Sequence, residues 1–345
     1  MGRQRPLRRP AHALLAIVIV SLFAGCSSTP QWHPGVALSK GPWRAGPVAV
    51  PENGALLGAW VKPESYSQAG RIAAVAGFEA SLGRELDIVH SYRRLHEEIG
   101  TESDLAFTSR ATLMISWAGT TSEEILSGLA DERIRLHAKQ IRGLDKPVLL
   151  RMRWEMDRPN LAASVGSPAL YRDSWRRVRK LFAEEGAANV SWVFCPTAEG
   201  FEEGRAAAYY PGDDTVDWTC VDVYAGSRLR PISELLRPFL TWAAQRPKPI
   251  MIGEYGVARM WTGLERRDWI SAAAGTFRAN PQIKAVLYFE SNPEDRTAAG
   301  EFAVSDDPAA LDAFRQTALD PYFRQMGYAT SHTSSSGPAA MKSVK

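Results

Sequence analysis

The chain has 345 residues, 45% of them hydrophobic, with 11 Trp and a formal net charge of +3; that is long for one ordinary domain, short for two large ones, and apolar enough for a barrel-sized core. Part of the positive charge sits in the first ten residues, MGRQRPLRRP, and no basic stripe elsewhere points to a nucleic-acid partner. There are three cysteines and no CxxC, and His90, His96 and His137 stand at no ligand spacing, so no metal is expected.

At the N-terminus, Arg3, Arg5, Arg8 and Arg9 precede the apolar run ALLAIVIVSLFAG. The run is too short for a comfortable membrane span and reads as the core of an export signal. It ends in Phe23-Ala24-Gly25-Cys26 followed by Ser-Ser-Thr-Pro. This resembles a bacterial lipoprotein signal, with Phe23 where Leu is usual, and it implies that Cys26 becomes the lipidated first residue. The expected protein is therefore held at the cell membrane on the extracytoplasmic side. Ordinary cleavage and secretion, with a free Cys26, is the alternative. Residues 27–50, rich in Pro, Gly and Ser, read as a tether, and residues 328–345 as a polar, disordered tail.

The intervening residues, 51–327, alternate without a break. Short apolar runs predict strands at Leu56–Val61, Leu86–His90, Thr112–Trp117, Val148–Arg153, Val190–Cys195, Trp218–Val223, Pro249–Gly253 and Ala285–Phe289. Helical patterns separate most of them. One opens on Thr121 with Glu124 three residues later, a capping-box signature, and runs to Leu144. Another, SPALYRDSWRRVRKLFAEEGA, places Leu170, Trp175, Val178 and Phe182 near one face and closes on Gly186. Eight strand–helix units predict an α/β fold, a single (β/α)8 TIM barrel, with its catalytic groups at the carboxyl ends of the strands. An open doubly wound sheet is the alternative, but neither GxGxxG nor a P-loop follows the first strand, and no cofactor is implied.

Two predicted strands end in a carboxylate. LLRMRWEMD carries Glu155 after the fourth, and KPIMIGEYG carries Glu254 after the seventh. Two carboxyl groups facing one cleft can hydrolyse a glycosidic bond, one as proton donor and one as nucleophile or base. Trp117, Trp192, Tyr224 and Phe289 lie in or at the ends of other strands and suit a sugar-stacking cleft. Cys195 and Cys220 fall in neighbouring strands. An oxidising compartment permits a disulfide, whereas two buried thiols fit parallel-strand geometry at least as well.

Over residues 55–290 the sequence resembles glycoside hydrolase family 26, known chiefly for β-mannanases. The resemblance is carried by GFEASLGRELDIVHSY, by Arg151, Glu155 and Met156, by YRDSWRRVRKLFAEEGAANVSWVFCP, by YYPGDDTVDWTCVDVYA and by KPIMIGEYG. It implies Glu155 as acid/base, Glu254 as nucleophile of a retaining double displacement, Tyr224 orienting Glu254, and Arg151 supporting its carboxylate. Two carboxyl groups about 5 Å apart would suit that chemistry. The Glu155 pKa is expected to be raised by burial against Trp154 and by the charge of Glu254. Glu79, Trp117, Trp154, Trp192 and Phe289 are expected to meet the glycan.

The departures bear on substrate. Trp154 stands where the family has His, Met152 where it has Pro, and DRPNLAASVG where family mannanases place Gly and several Trp. The expectation is an exported endo-acting hydrolase of a β-linked, mannan-type polysaccharide. The alternatives are the same mechanism on a β-glucan, xylan or exopolysaccharide, or a lipoprotein that binds carbohydrate without cleaving it.

Overall fold

Alternate side chains of a strand turn to opposite faces, so a strand in a closed barrel serves two cores at once. The computed structural model describes residues 46–293 and 297–323, with Gly2 besides. In it eight parallel strands close in chain order: β1 (Leu56–Val61), β2 (Ile88–Arg93), β3 (Thr112–Trp117), β4 (Val148–Met152), β5 (Val190–Phe194), β6 (Trp218–Ala225), β7 (Ile250–Val257) and β8 (Ile283–Glu290). β8 returns to pair with β1. The (β/α)8 barrel is thus the observed fold. The expected export signal with Cys26 and the C-terminal tail lie outside the described residues.

One face of each strand packs under the helices. Leu57, Val89, Leu113, Leu150, Val221 and Ile252 belong to that outer core. The opposite face fills the barrel, where Leu56, Ile88, Met114, Leu149, Val193, Trp218, Met251 and Leu287 form a separate apolar cluster. Val48 closes this inner cluster, with Val50 against it, and the Val48 amide donates to Ser191 Oγ. The expected tether therefore ends earlier than residue 50.

Burial along the strands also marks where the barrel opens. Every strand residue is buried except Tyr92 in β2, Tyr224 in β6 and Phe289 in β8. All three lie near the carboxyl ends of their strands.

Two helical expectations need adjustment. The segment from Thr121 to Leu144 is two helices, Ser122–Ser127 and Asp131–Gly143. Gly128 ends the first in a left-handed conformation, φ 88°, which glycine adopts without steric cost. The helix Pro168–Glu184 forms as expected, capped by Ser167, whose side chain accepts from the Leu170 amide.

β7 continues past its expected end at Gly253, so Glu254 stands inside a strand. Strict alternation would turn Glu254 outward with Ile252. Instead Val221 pairs with Ile252 and Asp222 with Glu254, which leaves Gly253 unopposed as a bulge. A bulge adds one residue and resets the alternation, and Glu254 turns into the barrel. Gly253 is required there, because a Cβ would lie 2.4 Å from Cys220 Sγ and 2.8 Å from both Asp222 Oδ1 and Cys195 Sγ. Gly253→Ala is expected to destabilise the fold by about 1–3 kcal/mol through overpacking, measured as a drop in the urea midpoint with an unchanged m-value.

Candidate active site

Above the apolar plug of the barrel lies a layer of charge. Arg151 from β4 is fully buried at its centre. Its Nη1 donates to both oxygens of Asp222 at 2.7 Å, its Nε donates to Ser116 Oγ at 2.7 Å, and its Nη2 donates to Glu254 Oε1. Burial alone pulls the guanidinium's pKa down. The charges of Asp222 and Glu254 outweigh that and hold it above its ordinary value. His90 from β2 shares Ser116, 2.6 Å from Nε2. Burial, reinforced by Arg151, drives the His90 pKa well down, so its imidazole is neutral.

Glu254 collects two further donors. Tyr92 Oη donates to Oε1 and Tyr224 Oη to Oε2, the latter at 2.5 Å. Burial first, and then the charge of Glu254, raises both phenol pKa values well above normal. Both tyrosines therefore keep their protons and remain donors. Three donors from fixed strands hold this carboxyl group in one orientation.

Glu155 is placed differently. β4 ends at Met152, and residues 153–157 form a turn in which Arg153 and Glu155 have φ values of 47° and 54°. These left-handed conformations cost of order 1–3 kcal/mol each for such residues and gather at functional sites. The neighbouring strands hold the turn. The Arg153 amide donates to the Trp117 carbonyl, the Glu155 amide to the Cys195 carbonyl, and Asp157 accepts from the Thr197 amide and hydroxyl. The Glu155 pKa is raised, chiefly by burial and also by Glu254. Arg158 opposes this, with Nη2 at 2.6 Å from Glu155 Oε1.

Glu155 and Glu254 line one cleft of about 690 Å³, together with Tyr92, Trp154, Tyr224 and Phe289. Trp154 meets Tyr92 edge-on, with ring centroids 5.0 Å apart, and Arg151 lies 5.6 Å from the Trp154 ring. Arg151, Trp154, Glu155, Tyr224, Glu254 and Phe289 thus come together as the sequence suggests.

Trp117, Trp192 and Glu79 do not. Trp117 and Trp192 belong to the outer core, because their positions in β3 and β5 have the parity that faces the helices. Trp117 Nε1 donates to His137 Nδ1 at 2.9 Å, and Trp192 packs edge-on against Trp175 and Phe182. Glu79 lies on the helix Gln68–Leu82, where it accepts from the Leu86 amide and pairs with Arg110 at 2.7 Å. It ties that helix to the start of the next strand. Glu290, after Phe289, is also structural and accepts from the Val304 and Ser305 amides.

Tyr92, Asp222, His90 and Ser116 are the site residues that sequence reading passed over. A period-2 reading of IVHSYR would have put Ile88, His90 and Tyr92 on one face, had β2 not been ended at His90. Cys195 and Cys220 are joined as a disulfide next to Asp222, which decides between the two expectations. Among the described residues these two sulfurs and Asp222 are the one grouping with metal-ligand proximity, and the disulfide removes both thiolates as ligands.

No protein-family model matches the chain. Among curated proteins it is 26% identical over 284 residues to endoglucanase H of Acetivibrio thermocellus, covering 76% of this chain and 30% of the relative. It is 30% identical over 114 residues to a β-1,3-xylanase of Alcaligenes sp, covering 32% and 23%. The chain thus spans less than a third of the length of these relatives. Among solved structures, a family 26 β-mannanase from Bacteroides ovatus superposes with a TM-score of 0.58 at 16% identity, over 79% of this chain and 90% of that one. A modular endo-β-1,4-mannanase from Cellulomonas fimi gives 0.58 at 16%, over 83% and 76%.

Arg158 favours the charged form of Glu155, so removing it must raise the carboxyl's pKa further. In Arg158→Met, ¹³C NMR of the Glu155 carboxyl is expected to show titration at higher pH than in the unaltered protein. In its barrel, as in its sequence segments, this chain resembles the enzymes of glycoside hydrolase family 26.

Proposed function

We propose that the protein is a retaining, endo-acting hydrolase of a β-linked polysaccharide, exported and held at the membrane through a lipid on Cys26. The observation that carries the catalytic part is the contrast between two carboxyl groups in one cleft. Glu254 is held by Arg151, Tyr92 and Tyr224, whereas burial raises the pKa of Glu155. Opposite environments for paired carboxyls separate acid from nucleophile.

In this mechanism protonated Glu155 gives its proton to the glycosidic oxygen as the bond from that oxygen to the anomeric carbon breaks. A Glu254 oxygen attacks the same carbon and forms a glycosyl ester, and the leaving chain departs as an alcohol. Esterification removes the negative charge of Glu254, which lowers the Glu155 pKa for its second task. Glu155 then takes a proton from water as the water oxygen displaces Glu254, and the starting protonation states return.

The names of the relatives, mannanase, endoglucanase and xylanase, support a β-linked backbone as a class. Mannan is our first candidate for the backbone. A β-glucan, xylan or exopolysaccharide is the second, supported by Trp154 in the cleft wall. A barrel that only binds sugar has no need for three donors on a single carboxylate, which weighs against a non-catalytic protein.

Products from β-mannan, glucomannan, mixed-linkage β-glucan and xylans test the proposal. Glu254→Ala and Glu155→Ala are each expected to reduce kcat by at least about 10³-fold, the scale of removing a group that acts only in the transition state. Azide should then restore turnover, giving a glycosyl azide of inverted configuration with Glu254→Ala and of retained configuration with Glu155→Ala. Cleavage that survives Glu254→Ala would sink the assignment. The membrane part has its own measurement: full-length protein should incorporate labelled palmitate and partition with membranes, and Cys26→Ala should do neither.

A further inference from the structure

Among the described residues, Arg153 is the one cation of the cleft whose charge finds no carboxylate. It lines the cleft and is 7% exposed. Its sole side-chain hydrogen bond among the described residues runs from Nη2 to Ser164 Oγ at 3.0 Å. Nε and Nη1 are buried and have no partner. Arg151 by contrast is matched by Asp222 and Glu254, and Arg158 by Glu155.

A guanidinium cannot escape burial by losing its proton, and an uncompensated buried charge costs several kcal/mol. Arg153 is also held in a left-handed backbone conformation, which adds to that cost. A stability role accounts for neither feature. A missing anion accounts for the unpaired charge.

The charge of the whole site agrees. When Glu155 carries the proton it needs as an acid, three guanidiniums among the described residues, Arg151, Arg153 and Arg158, face two other acidic groups, Asp222 and Glu254. The cleft is then left with an excess positive charge where the substrate enters. Its wall after Glu155 sets Arg158, Asn160 and Ser164 beside Leu161 and Val165. Past Ala118, which borders both, a shallower hollow continues over Arg94, His96 and Arg133, with Glu98 as its acidic residue.

We propose that Arg153 forms an anion subsite in this cleft, and that the glycan accepted there carries an acidic sugar, one bearing a carboxylate or a sulfate ester. The proposal rests on the hydrolase reading for the word substrate, but not for binding. A guanidinium binds either oxyanion through charge-assisted hydrogen bonds, and Arg158 becomes available for a second contact whenever Glu155 is protonated.

The test compares matched polymers. A β-linked glycan containing hexuronic acid is assayed beside the same glycan after chemical reduction of its carboxyl groups, and a sulfated β-glycan beside its desulfated form. The expected result is a kcat/KM at least about tenfold higher for one acidic member of a pair, the scale of losing one charge-assisted hydrogen bond. Arg153→Met should bring that ratio close to one and Arg153→Lys should restore part of it. Which pair responds identifies the anion.

Binding of acidic and neutral oligosaccharides to Glu254→Gln, by calorimetry, is read independently of turnover. Acidic oligosaccharides that bind, lose affinity with added Arg153→Met and are never cleaved would uphold the subsite and overturn the hydrolase reading. Neutral polymers cleaved as well as acidic ones, with no change of ratio in Arg153→Met, would overturn the subsite and leave the hydrolase intact. Thermal unfolding controls for the variant, since removing an unpaired buried cation should leave the midpoint unchanged or raise it. A large fall would instead make Arg153 a structural residue and sink the proposal.

Discussion

One buried guanidinium organises the carboxyl end of the barrel. Arg151 reaches from β4 to Asp222 on β6 and Glu254 on β7 while its Nε rests on Ser116 from β3. Removed from water, either carboxylate alone would be costly, and so would the cation. Together they form a hydrogen-bonded triad in which one cation offsets part of the cost of burying two acidic groups. The geometry exists because the sheet closes, for only a closed barrel turns side chains of strands so far apart in sequence toward one axis.

The triad also sets the division of labour above it. Glu254 touches Arg151 directly and is flanked by two tyrosines that burial keeps protonated. Glu155 has no direct share in the triad, and its one ionic partner among the described residues, Arg158, has a side chain 42% exposed. Solvent weakens such a pairing, so burial dominates and the carboxyl is held toward its neutral form. Two residues of the same type acquire different surroundings from where the backbone leaves them.

The barrel was legible because its strands are apolar runs at regular spacing with helical patterns between them. β1 and β3 have the bounds expected for them. Glu155 and Glu254 were legible because a carboxylate at the end of an apolar run stands out, and the family-like segments placed both. Trp117 and Trp192 misled because composition favours tryptophan at sugar sites, whereas the side a strand residue faces is decided by parity. Parity in turn misleads at Glu254, where the bulge at Gly253 reverses it. Tyr92 was hidden by a strand boundary set three residues too early. Arg153 drew no notice in sequence, since a lone arginine is conspicuous only when its surroundings lack an anion.

The left-handed turn after β4 has a further consequence, for stiffness. Glu254 stands in a strand paired on both sides, fixed by three donors, so its position tracks that of the barrel itself. Glu155 and Arg153 ride on five residues of turn, anchored by one backbone contact each to Trp117 and Cys195 and by Asp157 on Thr197. A double displacement asks its nucleophile to stay still while the anomeric carbon travels toward it, and asks its acid to follow first a departing oxygen and then an arriving water. The proposed acid thus stands on the part of the site that is not built into a strand, and an anion held by Arg153 would also restrain Glu155 two residues away.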